Sequence, residues 1–304
     1  MTTSEEIQVV DFNNLIDRYD CFLLDAYGVF WGSAAVGMLP GAKEMMEHLV
    51  SLGKKVGILS NSTQLSFKEK EKLAKHGVQE GVHYHFLLTS GEVARELLML
   101  QTLPFPTPQK KYWLFGADHP RFSSHSALFQ DTGYMQTKNL EEADFIYIAI
   151  PHIDGVDQEN PEAFLKEIQE IALKGIPVLC ANPDRFAHEG SPPRLVVRQG
   201  TIAQMLEAQG ASVYFIGKPF STAYEKALQL FPESTSLEKI LMVGDTPETD
   251  IRGARRLGLA TALVTETGVM HERIKEKRAS SVIGLLPKAD QPDHAVKRFG
   301  LYGF

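Results

Sequence analysis

Polar side chains stand directly after several short apolar runs of the chain. Asp25 follows "CFLL", Ser60 ends "KVGILS", and Lys218 follows "VYFIG". Asp245 follows "LMVG", and Asp250 comes shortly after it in "GDTPETD". A carboxylate can act as a nucleophile or as a hard oxygen ligand for Mg²⁺, whereas a lysine or a hydroxyl can bind the oxygens of a phosphoryl group. These residue types therefore suit phosphoryl transfer.

Each of these positions has a plainer structural explanation when it is taken alone. A carboxylate after a strand often caps the next helix, and the Ser60-Asn61 pair is typical of an ordinary turn. Caps and turns do not explain why all the signatures occur in one order, each after its own apolar run. The combination favours a shared site.

The segments between these residues show which elements must position them. Short apolar runs such as "CFLLD" and "KVGILS" alternate with amphipathic segments at 41–52 and 66–76. This alternation predicts parallel strands joined by helices, that is, a doubly wound α/β fold. In such a sheet the ligand crevice lies beyond the carboxyl ends of the strands, where these polar residues would meet.

A proline-rich stretch, "QTLPFPTPQKK" at 101–111, interrupts the alternation and predicts a linker. The alternation then restarts and predicts a second α/β unit of about 110 residues. Three further apolar runs, at 213–217, 239–245 and 261–265, are predicted to complete the first sheet. The turn-rich end of the chain, 285–304, is uninformative.

The predicted domain bounds follow from this pattern. Residues 1–101 and 214–304 would form the core, and residues 102–213 would form an inserted α/β domain.

Composition narrows the classes of partner. The chain of 304 residues carries 31 Lys and Arg against 38 Asp and Glu, for a net charge of −7, and has no dense basic block. We therefore expect a small ligand rather than nucleic acid. No run approaches the ~18 apolar residues of a membrane span, and Cys21 and Cys180 lie in apolar runs, so we expect a cytoplasmic protein that does not bind a membrane.

The ordered signatures resemble the haloacid dehalogenase superfamily of phosphohydrolases, whose motifs run nucleophilic Asp, Ser or Thr, Lys and a paired acidic loop. The stretch "LLDAYGVFWG…LPGAKEMMEHLVSLGKKVGILSNST" is similar to the opening of the class IIA, NagD-like phosphatases, and "VLCANPD" is similar to their cap signature. The resemblance implies a Rossmann-like core with an inserted α/β cap of the C2 type. It also implies that the cap closes over the substrate and could mediate a homodimer.

The resemblance assigns a role to each candidate residue. Asp25 would attack phosphorus to give an aspartyl-phosphate, Ser60 would donate a hydrogen bond to the phosphoryl group, and Lys218 would neutralise its charge. The predicted Mg²⁺ ligands are Asp25, the carbonyl of Tyr27, Asp245 and Asp250, with Asp250 acting from behind the direct ligands. The predicted substrate-binding residues are Gly28, Asn61, Asn182, Asp184 and Arg185. Four glycines are expected to let backbone N–H groups approach the ligand: Gly28, Gly32, Gly217 and Gly244.

The first motif departs from the family pattern at Tyr27. Most phosphatases of the superfamily have Asp-x-Asp there, and the second Asp exchanges protons with the leaving group and the attacking water. Tyrosine has an ordinary pKa of about 10, poorly matched to this task, and losing such a group typically costs ~10² to 10⁴ in rate. We therefore expect slow turnover of a small phosphate ester or anhydride, or a substrate whose leaving group needs no proton.

Two alternatives remain at this stage. "DAYG" also resembles the first motif of the 2-haloacid dehalogenases, but those enzymes use no metal and carry their cap between the first two motifs. Here Asp25 and Ser60 are 35 positions apart, which leaves no room for a domain. The other alternative is a catalytically impaired or regulatory protein that binds a phosphorylated ligand without turnover.

Overall fold

The structure is a computed structural model that describes residues 7–32, 36–116, 119, 124–189, 194–275 and 277–301. The chain divides into two compact units. The first unit comprises Met1–Ser60, Phe67–Leu88 and Tyr224–Phe304, and the second comprises Asn61–Ser66 and Thr89–Ala223.

The strands of the described residues are β1 Val9–Val10, β2 Cys21–Leu24, β3 Lys55–Ser60, β4 Phe86–Thr89, β5 Lys111–Phe115, β6 Met135–Thr137, β7 Phe145–Ile148, β8 Val178–Cys180, β9 Phe186–Glu189, β10 Arg194–Val197, β11 Val213–Phe215, β12 Ile240–Gly244, β13 Ala260–Val264 and β14 His294–Val296. The α-helices are α1 Asn13–Ile16, α2 Ala42–Ser51, α3 Ser66–Ala74, α4 Ser90–Leu100, α5 Ser124–Phe129, α6 Leu165–Ala172, α7 Gln199–Ala208, α8 Ser221–Leu228, α9 Arg252–Arg256, α10 Gly268–Ile274 and α11 Ala279–Gly284.

The first unit contains a seven-stranded sheet in the order β1-β14-β13-β12-β2-β3-β4. Strands β2 and β12 are buried along their whole length, as expected for central strands covered on both faces. Alternate side chains of β13 serve different clusters: Ala262 and Val264 pack with Phe22 and Leu24, whereas Leu263 packs with Met270. This period of two places helices on both faces of the sheet and leaves the strand ends to carry polar residues.

The second unit contains a parallel sheet in the order β11-β8-β7-β5-β6. Its core includes Phe115, Ile146, Val178 and Ile202. Strands β9 and β10 form a separate antiparallel pair. The doubly wound α/β class predicted from the sequence is confirmed, and no regular element falls between the end of α4 and the start of β5, where the linker was predicted.

The prediction that the run at 213–217 completes the first sheet is wrong. Strand β11 pairs in parallel with β8, with Tyr214 opposite Leu179 and Phe215 opposite Cys180. The reason is packing, because Phe215 belongs to the hydrophobic cluster of the second unit. The end of the chain, which was uninformative in the sequence, contributes β14, His294–Val296, beside β13.

The compact units also differ from the predicted domain bounds at α4, which was assigned to the core. The Arg95 guanidinium on α4 donates hydrogen bonds to the carbonyls of Ala127, Leu128 and Gln130 at the end of α5. These bonds satisfy carbonyls that the end of a helix leaves without partners and tie α4 to the second unit.

Within the described residues, none of the helices combines the length and the apolar character that crossing a membrane would require.

Candidate active site

Three carboxylates meet at the carboxyl end of the first sheet. Asp25, Asp245 and Asp250 each offer an oxygen, and these oxygens lie within 4.8 Å of one another. The strands bring the first two together, because β2 and β12 are parallel neighbours with Leu24 opposite Val243. The Asp25 N–H continues this pairing and donates to the Val243 carbonyl at 2.9 Å.

The Asp245 carboxylate is held at both oxygens. Its Oδ2 accepts a hydrogen bond from the Val269 N–H at 2.6 Å, and its Oδ1 accepts one from the Thr246 hydroxyl at 3.0 Å. Asp245 is only 5% exposed. A buried carboxylate with fixed direction is suited to binding a cation.

Asp250 lies in the π-helical turn Pro247–Ile251 and faces back toward the loop that carries Asp245. Its Oδ2 accepts hydrogen bonds from the N–H groups of Asp245 and Thr246, both at 3.1 Å. The Tyr224 hydroxyl donates to the Asp250 carbonyl at 2.8 Å. Asp250 therefore orders the loop of Asp245 as well as adding negative charge.

Glycines allow this close packing of side chains around the cluster. Gly28 has φ +80°, and a Cβ there would overlap the Asp245 carboxylate. A Cβ at Gly268 would overlap the same carboxylate, and one at Gly244 would overlap Asp250. Gly32 likewise has Val36 beside it, and Gly217 has Asn61 beside it. That Gly28, Gly32, Gly217 and Gly244 let backbone N–H groups approach a ligand stays a prediction.

Tyr27, the residue that departs from the family pattern, is 49% exposed and contacts Lys72 on α3. The Lys72 Nζ donates to the Tyr27 hydroxyl at 3.2 Å and to Glu69 at 3.0 Å. It also lies 4.6 Å from the ring centroid of Trp31. Burial lowers the pKa of Lys72, but Tyr27 and Glu69 outweigh it and hold that pKa above its usual value.

Sequence reasoning did not identify Lys72 as a partner of Tyr27. The signal available was its spacing of three residues from Glu69, which pairs oppositely charged side chains on one helix face. That signal is common on solvated helices and does not point to a site.

Ser60 ends β3 and is buried, with 7% of its surface exposed. It faces a small pocket within the first unit, together with Lys72. The pocket is lined by Ala26, Phe30, Trp31, Ile58, Ser60, Glu69, Lys72, Leu73 and Leu87.

The remaining predicted site residues lie in the second unit. Asn61, Asp184 and Lys218 form one hydrogen-bonded group. Asn182 accepts the Asp184 N–H on its Oδ1 at 2.8 Å, and the Arg185 guanidinium lies 5.6 Å from the ring centroid of Phe186.

The sequence motifs match two family models. Residues 22–128 match the haloacid dehalogenase-like hydrolase model, and residues 215–299 match a HAD-hydrolase-like model, where HAD stands for haloacid dehalogenase. Together these models cover more than half of the chain. The chain belongs to the haloacid dehalogenase-like hydrolases, as its motifs predicted.

Individual relatives extend over nearly the whole chain. Chronophin of Bos taurus is 28% identical over 276 residues, which is 88% of this chain and 88% of chronophin. The 4-nitrophenylphosphatase of Schizosaccharomyces pombe is 24% identical, covering 90% of this chain and 92% of its own length. A haloacid dehalogenase-like hydrolase of Brucella suis shares the fold with a TM-score of 0.75 at 23% identity, covering 96% of this chain and 99% of that one.

Proposed function

We propose that this chain is a Mg²⁺-dependent phosphohydrolase that hydrolyses a small phosphate ester or anhydride through an aspartyl-phosphate on Asp25. The observation that carries the proposal is the cluster of Asp25, Asp245 and Asp250 at the carboxyl end of the sheet. The phosphatase named among the relatives supports the reaction class.

The donor set fits a hard divalent cation. Three carboxylate oxygens within 4.8 Å of one another repel unless protons or a cation neutralise them. Carboxylate oxygens are the ligands that Mg²⁺ prefers, so Asp25, Asp245 and the Tyr27 carbonyl would hold the ion, with Asp250 fixing the loop behind Asp245. The ion, when bound, would offset charge on the phosphoryl oxygens.

Asp25 would act twice through one carboxylate oxygen. In the first step this oxygen forms a bond to phosphorus, while the bond from phosphorus to the leaving oxygen breaks and its electron pair leaves with that oxygen. In the second step water attacks the same phosphorus and loses a proton, while the bond from phosphorus to the Asp25 oxygen breaks and its electron pair returns to the carboxylate, which frees phosphate. Both steps need a proton carrier unless the leaving group is a stable anion.

Tyr27 limits that proton transfer in our proposal. An ammonium has only donors, so the hydroxyl of Tyr27 accepts from Lys72. A phenol is a weak acid at neutral pH and is poorly matched to exchanging a proton with a leaving group. We infer that good leaving groups such as aryl phosphates are turned over faster than alkyl phosphates.

The dehalogenase alternative loses support from the connection between the first two motifs. From β2 to β3 the described residues contain one helix, α2, and no inserted domain. The binding-protein alternative keeps one specific observation in its favour, the exposed tyrosine at the position of the acid. Roles for Ser60, Lys218 and the residues at 182–185, a homodimer and a cytoplasmic location stay predictions.

The test is hydrolysis of 4-nitrophenyl phosphate with Mg²⁺, with excess chelator, and with Mg²⁺ restored. We expect activity to disappear with chelator and return with the ion, and Asp25→Asn to abolish it because the variant keeps shape and loses the nucleophile. Asp17→Asn is the matched control, since Asp17 is exposed at the end of α1.

Two results would overturn the proposal. Full activity in chelator would show that the reaction needs no metal ion. Full activity of Asp25→Asn would show that Asp25 is not the nucleophile. Binding of Mg²⁺ and phosphate by the parent without turnover of aryl or alkyl phosphates would instead favour the binding protein.

A further inference from the structure

Three hydrogen bonds hold the side chain of Asn61 in place. Its Oδ1 accepts from the Lys218 N–H at 2.7 Å, and its Nδ2 donates to the Lys218 carbonyl at 3.0 Å. The same Nδ2 donates to the Asp184 Oδ1 at 2.8 Å. Asn61 is 5% exposed, so these bonds form away from water.

These bonds use both hydrogens of the Asn61 amide. An asparagine side chain has two N–H donors, and here one goes to the Lys218 carbonyl and the other to Asp184. None is left for a ligand. The arrangement therefore leaves no side-chain N–H of Asn61 to donate to a substrate.

The packing around the amide leaves it little freedom. A Cβ at Gly217 would come within 2.6 Å of the Asn61 Oδ1 and 2.6 Å of the Pro183 Cδ. Only a glycine before Lys218 lets the amide and Pro183 approach the chain together. The amide thus lies between two backbone segments far apart in sequence.

The segment around Asp184 is held by its backbone as well. The Asp184 N–H donates to the Asn182 Oδ1, and the Arg185 carbonyl accepts from the Arg198 N–H at 2.8 Å and the Thr201 hydroxyl at 2.6 Å. These bonds fix the main chain on both sides of Asp184. The bond from Asn61 then fixes the direction of its carboxylate.

We propose that Asn61 is a positioning residue, which holds the Lys218 backbone and the Asp184 carboxylate in one fixed arrangement. This inference rests on the proposed function and on the predicted roles of Lys218 and Asp184 toward the phosphorylated substrate. Asn61 then tunes selection among substrates through Asp184 without touching them.

The kinetic test is a double-variant cycle of Asn61→Ala and Asp184→Ala on several phosphate esters. A hydrogen bond to a charged group is involved, so Asn61→Ala should reduce kcat/KM about 10- to 100-fold, mainly by raising KM. The kcat/KM of the double variant should be no more than about twofold below that of the more severe single variant, because each substitution disrupts the same hydrogen-bonded arrangement. Gln64→Ala, in the same segment, should behave as the parent.

A second readout does not need turnover. The Asn61 side-chain amide protons, assigned by their loss in Asn61→Asp, should exchange slowly with solvent by NMR and should exchange faster in Asp184→Ala. If the parent hydrolyses nothing, this measurement still tests the arrangement, and binding of inorganic phosphate to the same variants replaces KM.

Three outcomes would overturn the inference. Independent, multiplicative effects of the two substitutions would show that Asn61 acts apart from Asp184. A loss of thermal stability without any change in kcat/KM or phosphate binding would show a purely structural role. Fast exchange of the Asn61 amide in the parent would show that the hydrogen bonds do not persist in solution.

Discussion

The carboxylate cluster of the first unit and the Asn61 group of the second unit are assembled in different ways. In the cluster, Asp250 accepts the Asp245 N–H from only five positions away, and Val269, 24 positions from Asp245, donates to its carboxylate. In the Asn61 group, the partners are 123 and 157 positions apart. A site ordered by local bonds leaves a motif in the sequence, whereas a group ordered by distant bonds does not.

The largest effect on turnover is expected from substitutions in the carboxylate cluster, where a cation would bind. Asp245→Asn should reduce turnover roughly 10³-fold or more, because several kcal/mol of charge stabilisation depend on that ligand. Asp250→Asn should cost less, about 10- to 100-fold, since it acts on the loop behind the ligand.

Both variants should be measured by 4-nitrophenyl phosphate hydrolysis and by the stabilisation that Mg²⁺ gives against heat. Equal losses in the two variants would contradict the distinction between a direct ligand and an orienting residue. Asp17→Asn again serves as the control for a carboxylate removed from the surface.

Glycines test how tightly the cluster is packed. Gly28→Ala should destabilise the fold by about 2–4 kcal/mol, combining a left-handed backbone with overlap of the Asp245 carboxylate. Gly53→Ala is the matched control, with φ +76° and nothing within 4 Å, and should cost only about 1 kcal/mol. Urea unfolding measures the free energy of unfolding of both variants. Equal losses would show that the loop of Asp245 can move aside to accept the new methyl group.

The same reasoning applied to the Asn61 group predicts an effect on binding rather than on stability alone. Gly217→Ala should displace the Asn61 amide or Pro183 and raise KM about 3- to 10-fold, as small displacements of binding groups do. Gly284→Ala, where a Cβ meets nothing within 4 Å, is the control. An unchanged KM with a lowered midpoint of unfolding would show that the distant bonds serve the fold only.

The smallest but most selective effect is expected at Tyr27. Tyr27→Asp replaces the phenol by a carboxyl that can exchange protons, and should raise kcat severalfold for alkyl phosphates and little for 4-nitrophenyl phosphate. The ratio of the two rates is the measurement, so a general loss of activity does not obscure it. Tyr27→Phe is the control, because it removes the hydroxyl without adding an acid. If the structure of Tyr27→Asp places the carboxyl beside the leaving oxygen and the ratio of the two rates is still unchanged, another group supplies the proton.

The polar residues at the ends of apolar runs explain why much of the fold and of the carboxylate cluster could be predicted from the sequence. Asp25 and Asp245 were placed together because parallel neighbours end at the same edge of a sheet. The sheet that holds β11 could not be predicted, since a short apolar run looks the same in either sheet and only the packing of Phe215 decides. The hydrogen bonds that Asn61 and Lys72 make to Asp184 and Tyr27 were also out of reach, because spacing along the chain does not reveal these partners.

The position of β11 also bears on how this fold can be recombined. Lys218 follows β11 by a few residues, so exchanging the segment from Thr89 to Ala223 with that of a relative would import a foreign Lys218 and Asp184. Asn61 would remain native, because it lies in the short segment Asn61–Ser66. A functional chimera therefore needs two crossover segments rather than one, and residues 61–66 should be inherited together with the larger piece.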